Sequence, residues 1–232
     1  MTYSDAFYDE YAYGSLISAR AVIKELFDRA GVFPSVVDVG CGIAAWAKAA
    51  LELGANQAVG IDGDHVNRSK VLIKDFRVCD LEAGNLAQPA GGTKFDLTIC
   101  LEVAEHLSAK RARSFIAELS SLGDLFLFSA AIPHQIGANH INEQWPDYWS
   151  ALFAEQGCAC FDVLRSRIWD RNDCEWWYAQ NTLLFARWNT DAFWRASRFG
   201  PPVAKPMRLV HPTRFLRHYP HSPFAHPNRK LT

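Results

Sequence analysis

Val36-Val37-Asp38-Val39-Gly40-Cys41-Gly42 is the stretch on which the fold turns. A short apolar strand runs into a glycine bend, and glycines are needed where a backbone must turn tightly and approach a ligand with no Cβ in the way. Asp62 lies twenty residues past Gly42, at the tip of a second apolar strand spanning Gln57 to Asp62. A carboxylate at such a tip can accept two hydrogen bonds from a ribose diol. Outward from this core, strand and helix signals alternate. Ser15 to Ala30 carries Ala19, Val22, Ile23, Leu26 and Phe27 at helical spacing, and Ile43 to Leu53 predicts a second helix ended by Gly54. Ile73 to Asp80 reads as a weak third strand, Phe95 to Leu101 as a strong fourth and Leu125 to Ala130 as a fifth. Ser108 is the expected N-cap of a helix bearing Ala112, Phe115, Ile116 and Leu119. A helix from Pro146 stops before Gly157, and 160–166 and 181–187 close the pattern as strands.

Strands separated by helices predict an α/β fold: a Rossmann-like, doubly wound, mostly parallel seven-stranded sheet with a last antiparallel strand and helices on both faces. The chain divides into an N-terminal helix and lid (1–34), a catalytic domain (35–188) and a basic arm (189–232). The arm holds Arg195, Arg198, Lys205, Arg208, Arg214, Arg217, Arg229 and Lys230 against the single acid Asp191, together with His211, His218, His221 and His226. Proline-rich and short of apolar residues, it is expected to lie extended on the domain. Its sharper reading is a contact for a second subunit in a homo-oligomer, or for an anionic substrate.

Across 232 residues the formal charge is only −1, which supplies no broad pull toward nucleic acid or an anionic membrane. No apolar run reaches membrane-spanning length, and the N-terminus lacks a signal-peptide pattern, so a cytoplasmic enzyme is expected. The six cysteines show no C-x-x-C spacing and predict buried, reduced thiols.

Gly40-Cys41-Gly42-Ile43-Ala44-Ala45 also matches the dinucleotide fingerprint G-x-G-x-x-A, so glycine spacing alone does not choose between a nicotinamide cofactor and S-adenosylmethionine. Three other features favour the second. Asp38 sits inside the strand, where a carboxylate is useful to a ligand carrying an ammonium. Asp80 ends the third strand and can meet an adenine amino group. The fourth strand runs into Cys100-Leu101-Glu102-Val103-Ala104-Glu105-His106-Leu107, which has no nicotinamide counterpart.

Taken in order, Asp38 to Gly42, Gly60-Ile61-Asp62 and Phe95-Asp96-Leu97 to Glu105-His106 resemble the successive motifs of class I S-adenosylmethionine-dependent methyltransferases, over roughly 35–187. His140-Ile141-Asn142-Glu143-Gln144-Trp145 and Trp176-Trp177-Tyr178 resemble motifs of a bacterial subgroup of that class. The resemblance implies that Gly40 and Gly42 cradle the methionine portion, Asp62 holds the ribose and Asp80 meets the adenine. Asp38, Cys41, Gly63, Leu81, Leu101 and Glu102 complete the cofactor site. The third glycine of the usual pattern is Ala44 here, at a position expected to govern helix packing.

The sulfonium is already activated, so the protein must align a nucleophile and take a proton from a hydroxyl acceptor. His140 and His134 are the candidate bases. Glu102, Glu105 and His106 fall at i, i+3 and i+4, which on a helical turn share one face; with His140 they are candidate ligands for a divalent ion. This set resembles metal-binding elements of small-RNA 2′-O-methyltransferases, although Glu-x-x-Glu-His also serves without metal in other members of the class. Asn142, Trp145 and Trp177 are candidate acceptor contacts, Trp149 reads as core, and Phe7, Tyr8, Tyr11 and Tyr13 are candidates for a lid. The expected activity is methyl transfer to a small molecule or glycan, with O-methylation favoured. The alternatives are a metal-assisted RNA 2′-O-methyltransferase and a non-catalytic cofactor-binding regulator.

Overall fold

The computed structural model describes residues 5–218, with side chains described for 14–216. Seven strands form one sheet: β1 (Ser35–Val39), β2 (Gln57–Asp62), β3 (Phe76–Val78), β4 (Leu97–Leu101), β5 (Leu125–Ser129), β6 (Cys158–Phe161) and β7 (Leu183–Arg187). Their order is β3-β2-β1-β4-β5-β7-β6, with β7 antiparallel to both neighbours and the other pairs parallel. The strand order reverses between β1 and β4, and the crevice outside their carboxyl ends is where open α/β sheets bind ligands.

Apolar alternation with period two sends successive side chains to opposite faces. On β5, Leu125 and Leu127 enter one core, with helices α1 (Asp5–Ala30) and α2 (Ala45–Glu52), while Phe126 and Phe128 enter the other, with α3 (Ala112–Ser121) and α4 (Pro146–Glu155). In the second core Phe153 stacks on Phe185 at 4.1 Å, and Trp149 tilts against Phe128 at 5.6 Å, as expected of a core residue. Burying each such ring contributes about 1.5–3 kcal/mol.

Several boundaries differ from the sequence expectation. Ser108 does not cap α3; Arg111 does, and the Ser108 hydroxyl instead donates to Glu82 at 2.6 Å. The sixth strand ends at Phe161 rather than continuing to 166, because Asp162 ion-pairs with Arg165 across the turn into α5 (Arg165–Ile168). β3 keeps only three residues, as befits an edge strand with Val78 exposed.

The C-terminal stretch is not wholly extended. Helix α7 (Asp191–Ala196) packs Phe193 and Ala196 into the first core, and α8 (Pro212–His218) follows an extended crossing. Arg195 donates to the carbonyls of Ala30, Gly31 and Val32 and lies over the Phe33 ring at 3.6 Å. Met207 bonds both members of the buried Asp162–Arg165 pair. No helix among the described residues is long and apolar enough to cross a membrane. All six cysteines are free and buried. The candidate lid side chains Phe7, Tyr8, Tyr11 and Tyr13 lie outside the described side chains, as do those of Arg217 and His218 and all of 219–232, with His221, His226, Arg229 and Lys230.

Candidate active site

The glycine bend forms as its residue types require. Gly40 and Gly42 adopt φ of 72° and 52°, in the left-handed region that favours glycine. Gly40 donates to the Ile61 carbonyl at 2.8 Å, tying the bend to β2. A Cβ on Gly40 would fall 2.3 Å from Val103, whereas one on Gly42 would meet no atom of the described residues within 4 Å. Among the described residues, the Gly42 side of the bend is open. Ala44 also lies in the left-handed region, at φ 63° as the residue capping α2. Glycine is favoured at that position for its backbone angle as well as for packing, and the alanine there carries a strain of about 1 kcal/mol or more.

Asp62 closes the same corner. One carboxylate oxygen accepts from the Gly42 N–H and the other from the Gly63 N–H, each at 2.6 Å. Burial raises its pKa, and those two donors lower it. Asp38, 2 % exposed, accepts only the Ala47 N–H at 3.2 Å among the hydrogen bonds described. Burial, with a smaller push from Asp62, lifts its pKa from 3.8 to about 7, against the pull of the Ala47 donor. Burial also drives the Cys41 thiol upward. Asp80 is exposed at the end of β3, with one oxygen accepting the Glu82 and Ala83 N–H groups; Leu81 and Leu101 are buried behind it and at the end of β4. A groove of about 600 Å³ between α2 and the β2–β3 edge, lined by Lys48, Val71, Lys74 and Arg77, contains none of these motif residues.

Beyond β4 and β5 lies a second group. Glu105, His106 and His140 converge, with one ligand atom of each within 4.8 Å of the others. The two imidazoles meet edge to face at 4.9 Å. Glu105 is fully buried, and neither carboxyl oxygen makes a hydrogen bond of normal geometry; the N–H groups of Glu105 and Ala131 lie near enough only to temper its pKa. Burial first, then the charges of Glu102 and Glu143, hold that pKa well above the usual range. Burial and His140 lower that of His106. Glu102 does not join them. It precedes a 3-10 turn rather than sharing a helical face, and its carboxylate accepts from Gln135 at 2.9 Å and Asn181 at 3.0 Å.

His140 is positioned by its loop. Glu143 accepts from the His134 N–H at 2.7 Å and the Ile136 N–H at 2.9 Å, and meets His140 Nδ1 at 2.9 Å. One carboxylate thus organises a loop in which His134, Ile136 and Asn139 all have positive φ. Gly137 makes room for the ring, since a Cβ there would fall 2.0 Å from His140 Nε2. His134 is exposed, and its carbonyl accepts from Arg214 of the arm. Asn142 is buried, with Nδ2 unpartnered. Trp145 lies under Arg208, 5.5 Å from the ring centre. Trp177 packs partly buried beside Tyr178 at 5.8 Å on α6 (Trp176–Asn181), which leads into β7.

Sequence reasoning missed Gln135, Gln180 and Asn181. Gln180 and Asn181 are polar residues at the threshold of an apolar strand, a local signal that burial there needs partners; Gln135 gives none.

The chain matches the model of the methyltransferase domain over residues 8–175. No curated protein sequence matches it. Among solved structures it resembles magnesium protoporphyrin IX methyltransferase from Synechocystis PCC 6803 with bound S-adenosylhomocysteine, at 18 % identity and TM-score 0.52 over 75 % of this chain and 84 % of that one. It also resembles CalS10, an amino pentose methyltransferase from Micromonospora echinaspora, at 14 % identity and TM-score 0.56 over 81 % and 98 %. Human N-acetylserotonin methyltransferase aligns at 16 % identity and TM-score 0.50 over 72 % of this chain and 51 % of that one. Fold, glycine bend and family match agree: the chain belongs to the methyltransferase-domain family and is an S-adenosylmethionine-dependent methyltransferase.

Proposed function

We propose that the protein transfers the methyl group to a hydroxyl of a small molecule or glycan, with His140 taking the proton. The observation that carries this reading is the contact of His140 Nδ1 with Glu143 at 2.9 Å, on the rim that also holds the glycine bend. A base oriented by a carboxylate is of use to a hydroxyl and superfluous to a free amine. In this reading the open face of Gly42 receives the methionine portion, Asp38 balances its ammonium, Asp62 holds the ribose and Asp80 the adenine edge. Bound S-adenosylmethionine supplies an activated methyl. The protein's own work is to exclude water, hold the acceptor against Asn142, Trp145 and Trp177, and accept its proton at the imidazole.

The described arm cations support a small acceptor over RNA. Arg195 is spent on backbone carbonyls, and Lys205 and Arg208 both pair with Asp147. A thermal shift with S-adenosylhomocysteine but none with nicotinamide dinucleotide is the first check. His140→Ala should then lower turnover with cofactor affinity nearly unchanged, and a tenfold loss of cofactor binding would reassign the residue.

A second reading is favoured by the buried, unpartnered carboxyl of Glu105 facing two imidazoles. One oxygen and two nitrogen donors suit a hard or borderline divalent ion such as Mn²⁺ or Zn²⁺. Glu105, His106 and His140 would hold it, and Glu102 would not. Activity indifferent to chelator, with no Mn²⁺- or Zn²⁺-dependent thermal shift, removes it.

A further inference from the structure

We infer that Glu102 is the counter-charge of the methyl-transfer centre, by which the site holds the cationic sulfonium donor in preference to its neutral thioether product. The inference rests on the cofactor placement proposed above. Glu102 is the first residue beyond β4, so it stands at the point where the strand order reverses. Its neighbour Val103 packs directly over Gly40, and its own carboxylate reaches Gln135 and Asn181 on the acceptor side. It therefore occupies the boundary between cofactor and acceptor, which the transferred methyl must cross. Its φ of 55° is uncommon for a residue with a side chain, a strain that persists only where the surroundings enforce it.

What holds Glu102 is as informative as where it stands. Gln135 Nε2 donates to one oxygen at 2.9 Å, and Asn181 Nδ2 donates to the other at 3.0 Å. The polarity of both amides is set by Gln180, fully buried, whose Nε2 donates to Gln135 Oε1 at 2.9 Å and to Asn181 Oδ1 at 3.0 Å. Gln180 Oε1 in turn accepts the His211 N–H at 2.8 Å. Flipping either amide would point oxygen at carboxylate and nitrogen at nitrogen, so the donors must face Glu102.

An arginine would pin a carboxylate equally well and would cancel its charge. The molecule uses that solution elsewhere, at Asp162–Arg165, Glu118–Arg111, Asp124–Arg187 and Asp147–Arg208. Among the described residues no Lys or Arg pairs with Glu102, Glu105, Asp38 or Asp62. Burial raises the Glu102 pKa against the pull of these amide donors; the neutral amides fix the carboxyl without supplying a counter-charge, and that part is left to a cationic ligand. S-adenosylmethionine carries a sulfonium there; S-adenosylhomocysteine shares its amino acid and nucleoside but has no charge on sulfur.

Titration calorimetry at fixed pH and low salt tests this without an acceptor. The probes are S-adenosylmethionine, S-adenosylhomocysteine and sinefungin, in which a carbon replaces the sulfur and a protonated amine takes the place of the transferred methyl. The unmutated protein should bind the two cationic ligands at least fivefold more tightly than the neutral one. Glu102→Gln should weaken both cationic ligands about tenfold and leave S-adenosylhomocysteine within about twofold. An equal fall for all three ligands, or no change, overturns the inference while leaving the cofactor placement standing. If the variant does not fold, the unmutated comparison still decides, because sinefungin binding no tighter than S-adenosylhomocysteine refutes it. Failure of all three ligands to bind the unmutated protein overturns the cofactor placement itself.

Discussion

Replacing Asp38 by Asn should stabilise the ligand-free protein, and by more at pH 8 than at pH 5. Asp38 is 2 % exposed and its pKa stands near 7 instead of 3.8. A raised carboxyl pKa means that the folded state holds its proton more tightly than the unfolded chain does. Stability is therefore lost as pH climbs from about 3.8 to about 7, at about 1.4 kcal/mol per pH unit. The burden is about 2 kcal/mol at pH 5 and about 4 kcal/mol at pH 8. Asparagine has the same shape, carries no charge, and its Oδ1 can still accept the Ala47 N–H. Urea unfolding of both proteins at the two pH values should show the variant's advantage growing by about 2–3 kcal/mol. Other titrating groups are common to both proteins and largely cancel in the difference. An advantage that does not change with pH would refute the claim that Asp38 is a desolvated charge. The same variant should gain less thermal stabilisation from S-adenosylhomocysteine, since its ammonium loses its partner.

Gly40→Ala should cost at least about 2 kcal/mol, because a Cβ would collide with Val103 and the φ of 72° disfavours alanine; adding Val103→Ala should relieve the collision but not the backbone strain, as denaturant midpoints will show. Ala44→Gly should lie within about 1 kcal/mol of the unmutated protein, since relief of left-handed strain is offset by a freer unfolded chain and a lost buried methyl. Arg165→Met should cost about 3–5 kcal/mol by stranding the buried Asp162, and Arg165→Met with Asp162→Leu should recover most of it; a double variant no better than the single one would show that the pair is not the cause.

The glycine bend and the strands around it were legible because their demands are local. An apolar strand, two glycines in sequence and an acid at the next strand tip each state a backbone requirement within a few residues. Ala44 shows the limit of that legibility, since its departure from the usual third glycine is plain in the sequence while the left-handed angle that strains it appears only in three dimensions. Around Glu102 the requirements are tertiary. Gln135, Gln180 and Asn181 come from the loop after β5 and the helix before β7, and nothing in either segment announces the other. Glu102 was grouped with Glu105 and His106 by helical spacing, but the strand's exit breaks that spacing. Ser108 followed the rule for caps and yielded to a competing carboxylate, Glu82, brought in from a separate loop.

A strand that runs backward brings its incoming residues, rather than its outgoing ones, to the rim where ligands sit. Because β7 opposes its neighbours, the approach through Trp177 and Gln180 to Thr182 reaches the rim that carries the glycine bend, and the departure at Trp188 and Asn189 lies at the far end of the sheet. Retuning of acceptor choice, by evolution or in the laboratory, should therefore concentrate in the stretch entering this strand, while the stretch leaving it stays free to diversify toward unrelated ends.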